Sequence, residues 1–295
     1  MQIAPEKNPL PAEFDVEAYR SLHGDLRGMS NARLIEHWRQ YGLGEARQAS
    51  AIGGRNDLLH SLGHLSSFLE IGPFDRPLLE QMRLAGCDVK YADHLSTEGL
   101  RERASEIPGR IPENVPNIDY VAATSLSKII TDRRFDCVAS CHMVEHTPDL
   151  IGHLLDVSAL LNPGGVYAFV IPDKRSCFDY YLPESELPDI IAAHAERRTK
   201  PSLKSVIEHW AFARHDFGPD KPNPLTHPDT QTEFQIKHAI EQYPLRDYID
   251  VHCWQFTTTS IGRRMESLAK LGFLPASTKA RTYPWGSEIG VLVTF

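Results

Sequence analysis

The sequence predicts an α/β protein built on a doubly wound sheet with an antiparallel edge hairpin, preceded by a small helical module. Three observations predict it. Phe68-Leu69-Glu70-Ile71-Gly72-Pro73 reads as an apolar strand ending in an acidic residue and a glycine, with a helix beginning near Pro77. About twenty residues later, the usual length of one crossover unit, Val89-Lys90-Tyr91-Ala92-Asp93-His94 reads as a second strand ending in a carboxylate. Val166-Tyr167-Ala168-Phe169-Val170-Ile171 is apolar enough to be a strand buried on both faces of a parallel sheet.

The first two strands together form a minimal nucleoside pocket. Gly72 lets the backbone turn sharply and approach a ligand closely, and Asp93 stands where a carboxylate accepts bonds from both ribose hydroxyls. A full Gly-x-Gly-x-x-Gly pattern is absent from this turn, which argues against a dinucleotide. A buried strand followed by a tight turn is the competing structural reading.

The chain continues with Phe135 to His146, a strand running into a helix, and then a helix from Leu150 to Leu161. That helix stops at Asn162-Pro163-Gly164-Gly165, a cap and turn signal. The chain closes with a helix over Thr259 to Leu271 and strands near Ser277 to Arg281 and Ile289 to Thr294, the edge hairpin. This succession resembles class I S-adenosylmethionine-dependent methyltransferases, which have a Rossmann-like sheet. Glu70 to Gly72 fall on their first motif, Asp93 on the ribose carboxylate, and Leu160 to Gly165 on the segment before their fifth strand. Glu-Ile-Gly-Pro, Asp-His-Leu-Ser, Glu-His-Thr-Pro-Asp, Pro-Asp-Lys-Arg and His-x-Trp-x-Phe look like a bacterial subgroup associated with surface-polysaccharide synthesis.

The resemblance implies S-adenosylmethionine as cofactor, with Glu70, Gly72, Pro73, Asp93, His94 and Ser140 around it, and a saccharide or glycan precursor as acceptor of an O-methyl group. Two departures stand out. Pro73 and Phe74 replace further glycines, and Ala123 and Thr124 follow the third strand, Ile118 to Ala122, where an acidic residue often meets the adenine amine; Ser125 or backbone groups are then left for that role. These departures favour the alternative, a noncatalytic glycan-binding or scaffold subunit with a degenerate pocket.

The net charge of -8 argues against a nucleic-acid partner, since phosphate neutralisation needs a basic surface. The five cysteines show no Cys-x-x-Cys spacing, their odd number leaves one unpaired, and no apolar leader or membrane-spanning run is present; a reduced, cytoplasmic enzyme without a membrane span is expected. Residues 1–50 read as the helical module, with Asp15 as an N-cap and Leu34, Ile35, Trp38 and Tyr41 at helical spacing. The module is similar to one found beside bacterial glycan-modifying domains, so a partner in glycan synthesis is a candidate for it. Ala49 to Arg55 is the linker, and residues 56–295 the catalytic domain. Within that domain, residues 173–256 form a long insertion, read as an acceptor lid, with helices at Leu187 to Arg197 and Leu203 to Arg214. Its aromatic residues Tyr180, Tyr181, Trp210 and Trp254, with Trp285 beyond it, are candidates for stacking on sugars, against core packing.

The sharpest chemical pattern is His142-x-x-Glu145-His146. At the start of a helix the three side chains share one face. The inverted zinc-protease motif has the same pattern, but its position after a buried strand of a methyltransferase-like sequence argues against a peptidase. Some O-methyltransferases carry Glu-x-x-Glu-His here and hold a divalent metal. The resemblance therefore implies Glu145 and His146 as metal ligands, with His142 standing in place of the first Glu and His252 as the candidate extra ligand, and a cation that lowers the pKa of the acceptor hydroxyl. Without metal, His142 or His146 is the candidate base, and Asp173 orients base or substrate. Capping and orienting the helix is the competing role for Glu145 and His146.

Overall fold

The computed structural model describes residue 10, residues 14–122 and residues 125–295. Its centre is a seven-stranded sheet of β1 (Ser67–Ile71), β2 (Asp88–Asp93), β3 (Tyr120–Val121), β4 (Phe135–Cys141), β5 (Leu161–Pro172), β6 (Lys279–Trp285) and β7 (Glu288–Thr294). The order across the sheet is β3-β2-β1-β4-β5-β7-β6. β1 to β5 run parallel, and β7 pairs antiparallel with both β5 and β6. The chain leaves β1 toward β2 and β3, then returns to β4 on the other side of β1. Such a reversal opens a crevice at the carboxyl ends of the central strands.

Alternation along the central strands buries both faces. Cys137 and Ala139 of β4, with Ala168 and Val170 of β5, pack against Leu58 and Leu59 of the helix Arg55–His60 and against Leu78 and Leu79. Val138, Tyr167, Phe169 and Ile171 face the other way, onto the helices Leu150–Leu160 and Thr258–Lys270. Asp149 caps the first of these through Gly152 N at 2.8 Å, and a Thr257–Ser260 capping box starts the second.

Several boundaries differ from the sequence reading. The strand expected over Ile118 to Ala122 is only Tyr120–Val121, at the edge of the sheet. β5 begins at Leu161, so the Asn162 to Gly165 turn signal lies inside the strand as an irregularity in its pairing with β4. Asn162 Nδ2 donates to Asp136 Oδ1 at 2.8 Å there, which ties the irregular part to β4. His142 to His146 does not lie on an α-helix: His142 takes φ +51°, Val144–His146 is a 3-10 turn, and the α-helix starts only at Leu150.

The N-terminal module has its own apolar cluster of Tyr19, Leu26, Leu34, Trp38 and Ala49. Asp15 caps the helix Val16–Leu22 by accepting from Glu17 N and Ala18 N. The helix Asn31–His37 passes into a π-turn over Trp38–Gly42. The insertion contains helices Leu187–Ala195, Leu203–Ile207 and Thr230–Gln242. The last of these was not expected from the sequence. Among the described residues, no helix is long and apolar enough to cross a membrane.

Candidate active site

Glu70 lies one residue before the end of β1, where it is 1% exposed. Its two carboxylate oxygens accept from Leu78 N at 2.6 Å and Leu79 N at 2.9 Å, which shapes the turn from Gly72 into the helix Glu80–Leu84. Burial pushes its carboxyl up to about 7, against the pull of the two amides. Gly72 sits at φ +73°, and a Cβ on it would stand 3.2 Å from Met143 Cγ. Its amide donates to Ala92 O at 2.9 Å, so the turn is fastened directly beside Asp93. Pro73 is buried, and Phe74 takes φ +45° with the Arg110 guanidinium 5.0 Å from its ring centre.

Asp93 is 8% exposed at the end of β2. Oδ1 accepts from Leu95 N at 3.2 Å and lies 2.7 Å from His94 Nδ1. Both contacts use the same oxygen. Ser140 is turned the other way, into the core, where its hydroxyl meets Tyr167 Oη at 2.7 Å and Tyr167 in turn meets His153 Nε2 at 2.8 Å. Burial lowers His153 to about 4. Ala123 and Thr124 lie outside the described residues. Ser125 Oγ is bonded to Asp156 Oδ1.

The second group of candidates surrounds the 3-10 turn after β4. Cys253 N donates to Glu145 O at 2.6 Å and Trp254 N to the same oxygen at 3.3 Å, which lays the 251–254 segment of the insertion against the turn. One ligand atom each from Glu145, His146 and His252 then falls within 4.8 Å of the others. Glu145 is 1% exposed, and neither of its carboxylate oxygens has a directed hydrogen bond. His142 Nδ1 is 3.3 Å from Oε1 as an ion-pair contact. Burial disfavours the Glu145 carboxylate, but the imidazoles of His142, His146 and His252 hold it below the usual range.

His142 does not join that set of three. Its Nε2 lies 2.7 Å from Glu288 Oε1, and Glu288 also binds Arg55 and accepts from Trp285 Nε1 at 3.0 Å. Burial would lower the imidazole, yet Glu145 and Glu288 lift it to about 9. Asp173 is likewise enclosed: Oδ1 accepts from Arg175 N at 3.0 Å and Nε at 2.9 Å, and Oδ2 from Nη2 at 2.6 Å. The same guanidinium donates through Nη1 to Gly44 O of the N-terminal module.

The sequence reading left unassigned two carboxylates that the fold brings in. Asp179 Oδ2 meets His252 Nδ1 at 2.7 Å, and Asp250 Oδ1 lies 2.9 Å from His146 Nδ1. Asp250 stands two residues before His252, so on an extended segment both project to one side; this was the available signal. Nothing local marked Asp179. Of the aromatic candidates, Trp254 and Trp285 are 4% and 9% exposed and belong to the core. Tyr180 packs against Tyr181 and stacks on Phe217 in the insertion, and Trp210 stacks on His238. A separate cavity of about 790 Å³, lined by Asp75, Glu80, Tyr91, Asn114 and Asp119 among others, touches neither Gly72 nor Asp93 nor the 142–146 turn.

Comparison with known structures gives distant likenesses. The CcbJ methyltransferase of Streptomyces caelestis is 16% identical over 41% of this chain and 52% of its own, with a TM-score of 0.32. This chain thus spans about half the length of that protein. A structure described as an O-methyltransferase family protein from Burkholderia thailandensis is 9% identical over 93% and 63% of the two chains, with a TM-score of 0.41. One described as a Zn-dependent alcohol dehydrogenase from Rhodobacter sphaeroides is 14% identical over 88% and 96%, with a TM-score of 0.45. No curated protein matches the chain. The model of one family, described as a methyltransferase domain, matches residues 35–267, and with most of its length inside that match the chain belongs to the methyltransferase domain family.

Proposed function

We propose that the chain transfers a methyl group from S-adenosylmethionine to an oxygen of a saccharide or glycan precursor, with a divalent cation held by Glu145, His146 and His252 beside the acceptor. The observation that carries the cofactor assignment is Asp93, a buried carboxylate at the end of β2, fastened beside the Gly72 turn by the Gly72–Ala92 bond. A ribose fits there because Leu95 N and His94 both engage Oδ1, which leaves Oδ2 for sugar hydroxyls.

The sulfonium of the bound cofactor supplies an already activated methyl group. The protein's share is alignment of acceptor and donor, exclusion of water by the insertion, and removal of the hydroxyl proton. The donor set of one carboxylate and two imidazoles suits a borderline divalent ion, and Glu145 is a buried carboxylate whose oxygens make no hydrogen bond, with the His142 ion-pair contact beside it. A cation at this point supplies Lewis acidity that lowers the pKa of the acceptor hydroxyl. The acceptor class is supported by the part-buried rings of Tyr180, Tyr181 and Phe217 in the insertion.

Calorimetric titration with S-adenosylmethionine tests the cofactor, and methyl transfer to saccharide acceptors before and after chelation tests the cation. Chelation is expected to suppress transfer while leaving cofactor affinity unchanged. Transfer that persists after complete metal removal would overturn the cation and leave His142 and His146 as the candidate bases, which the pH profiles of the two alanine variants would separate.

A further inference from the structure

We infer that Asp179 and Asp250 are positioning residues that hold Nδ1 of His252 and His146, so that Nε2 of both rings is presented to a divalent cation beside Glu145. The inference rests on the cation site proposed above. A ligating imidazole has its tautomer and orientation fixed by the partner of its second nitrogen, most often a carboxylate. Both histidines stand beside such a carboxylate: His252 Nδ1 is hydrogen-bonded to Asp179 Oδ2 at 2.7 Å, while Asp250 Oδ1 lies 2.9 Å from His146 Nδ1 as an ion-pair contact without hydrogen-bond geometry. The two rings meet edge to face with centres 4.7 Å apart, so neither can swing without displacing the other.

The two carboxylates differ in their surroundings. Asp179 is 1% exposed, and its Oδ1 is buried without a hydrogen bond. With Glu145 it makes two buried carboxylates that carry oxygens without a hydrogen bond beside the two rings, a place where a divalent cation would supply opposite charge. Asp250 is half exposed, and its Oδ2 accepts from Arg103 Nη2 at 2.7 Å. Arg103 lies on the helix Thr97–Glu106, which follows Asp93 in the chain. The His146 support is therefore tied to the element that leaves the cofactor strand, whereas the His252 support lies wholly within the insertion.

The test is Co²⁺ titration of the full chain, read by calorimetry and by the visible absorption of the bound ion. Asp179→Asn and Asp250→Asn are each expected to weaken Co²⁺ binding by about 10- to 100-fold, the usual effect of losing such a partner, and to shift the visible band as one imidazole turns away. Asp216→Asn, at an exposed ion pair with Lys221, serves as the control with unchanged affinity. Should the buried Asp179→Asn variant fail to fold, the half-exposed Asp250→Asn decides the matter. Unchanged Co²⁺ affinity and spectrum in folded Asp250→Asn overturn the positioning role while the cation site stands. A wild-type chain that binds no Co²⁺, or a His252→Ala variant that binds it equally well, overturns the cation site and the inference with it.

Discussion

The two halves of the candidate site are built in different ways. The cofactor half is made by consecutive backbone: Glu70, Gly72 and Asp93 sit at the ends of adjacent parallel strands, and main-chain bonds to Leu78, Leu79 and Ala92 fix their geometry. The acceptor half is assembled across the fold. His146 comes from the turn after β4, while Asp179, Asp250 and His252 come from the insertion, pinned to it through the Glu145 carbonyl. In the site proposed above, local backbone would set where the nucleoside lies, and long-range side-chain contacts what is done beside it. Each half should accordingly be breakable with the other left intact.

The largest separation is expected from Gly72→Val. The residue sits at φ +73°, a conformation a β-branched residue adopts only under strain, and its Cβ would meet Met143 Cγ at 3.2 Å. Affinity for S-adenosylmethionine is expected to fall by at least about 100-fold, or about 2.7 kcal/mol. Co²⁺ affinity at Glu145, His146 and His252 should be retained. A folded variant that lost both would show that the halves are not independent, and one that lost neither would take the cofactor away from the Gly72 turn.

Glu70 tests the same backbone scaffold through pH. Its carboxyl is raised from 4.5 to about 7 in the folded chain, chiefly by burial. The folded state therefore holds a proton that the unfolded chain releases from about pH 4.5 upward. The stability from this group is fully present below pH 4.5, declines as pH rises through about 7, and is flat beyond; the whole change is about 3 kcal/mol. Glu70→Gln should remove this component, so that its stability relative to wild type climbs between pH 5 and 8 in denaturant titrations. The variant carries a fixed cost of about 1–3 kcal/mol for turning an amide NH₂ toward a loop N–H. A wild-type-minus-variant difference that is constant across that range would remove the protonated carboxyl from the account.

This contrast also explains what the sequence disclosed. β1, β2, β4 and β5, the edge hairpin and the Gly72 turn were legible because hydrophobic runs and a glycine at a strand end are local signals. Asp15 as a cap was legible for the same reason. The His142-x-x-Glu145-His146 spacing was misleading as helix geometry: the left-handed His142 backbone and the short 3-10 turn break the shared face, and Glu288, 146 residues away in the chain, draws His142 aside. Ser140 and Asp173 carried the right chemistry at strand ends, but Tyr167 and Arg175 occupy their polar atoms. Tertiary partners of this kind leave no periodic trace. The helix Thr230–Gln242 was hidden for another reason, since polar and charged residues dominate it and only Thr232 and Ala239 are buried.

A more moderate effect is expected from Asp93→Ala. A hydrogen bond to a charged group contributes about 1.5–3 kcal/mol, so loss of the ribose contact should weaken S-adenosylmethionine binding roughly tenfold to a hundredfold. The substitution also removes the bond from Leu95 N, which makes circular dichroism of the variant a necessary companion measurement. Unchanged affinity in a folded variant would move the nucleoside away from β2, and the Gly72 result would then need another cause.

The smallest effect on the cofactor half is expected from removing residues 1–50. The module has a separate apolar cluster that includes Ala49, and the Asp15 N to Ala49 O bond at 2.8 Å closes it upon itself at the first residue of the expected linker. Its polar tie to the site region is Arg175 Nη1 on the carbonyls of Leu43 and Gly44, while Nε and Nη2 of the same guanidinium hold Asp173. Truncation frees one nitrogen of that fork and leaves the other two in place, so Asp173 keeps its position. Affinity for S-adenosylmethionine is expected to stay within about threefold, under about 0.7 kcal/mol, because neither Gly72 nor Asp93 bonds to the module. Methylation of a large glycan acceptor should fall more than that of a small saccharide if the module contributes acceptor contacts. A truncated chain that is folded by circular dichroism but no longer binds the cofactor would make the module part of the nucleoside half, and the Arg175 link would then be the first place to look, through Arg175→Ala in the full chain.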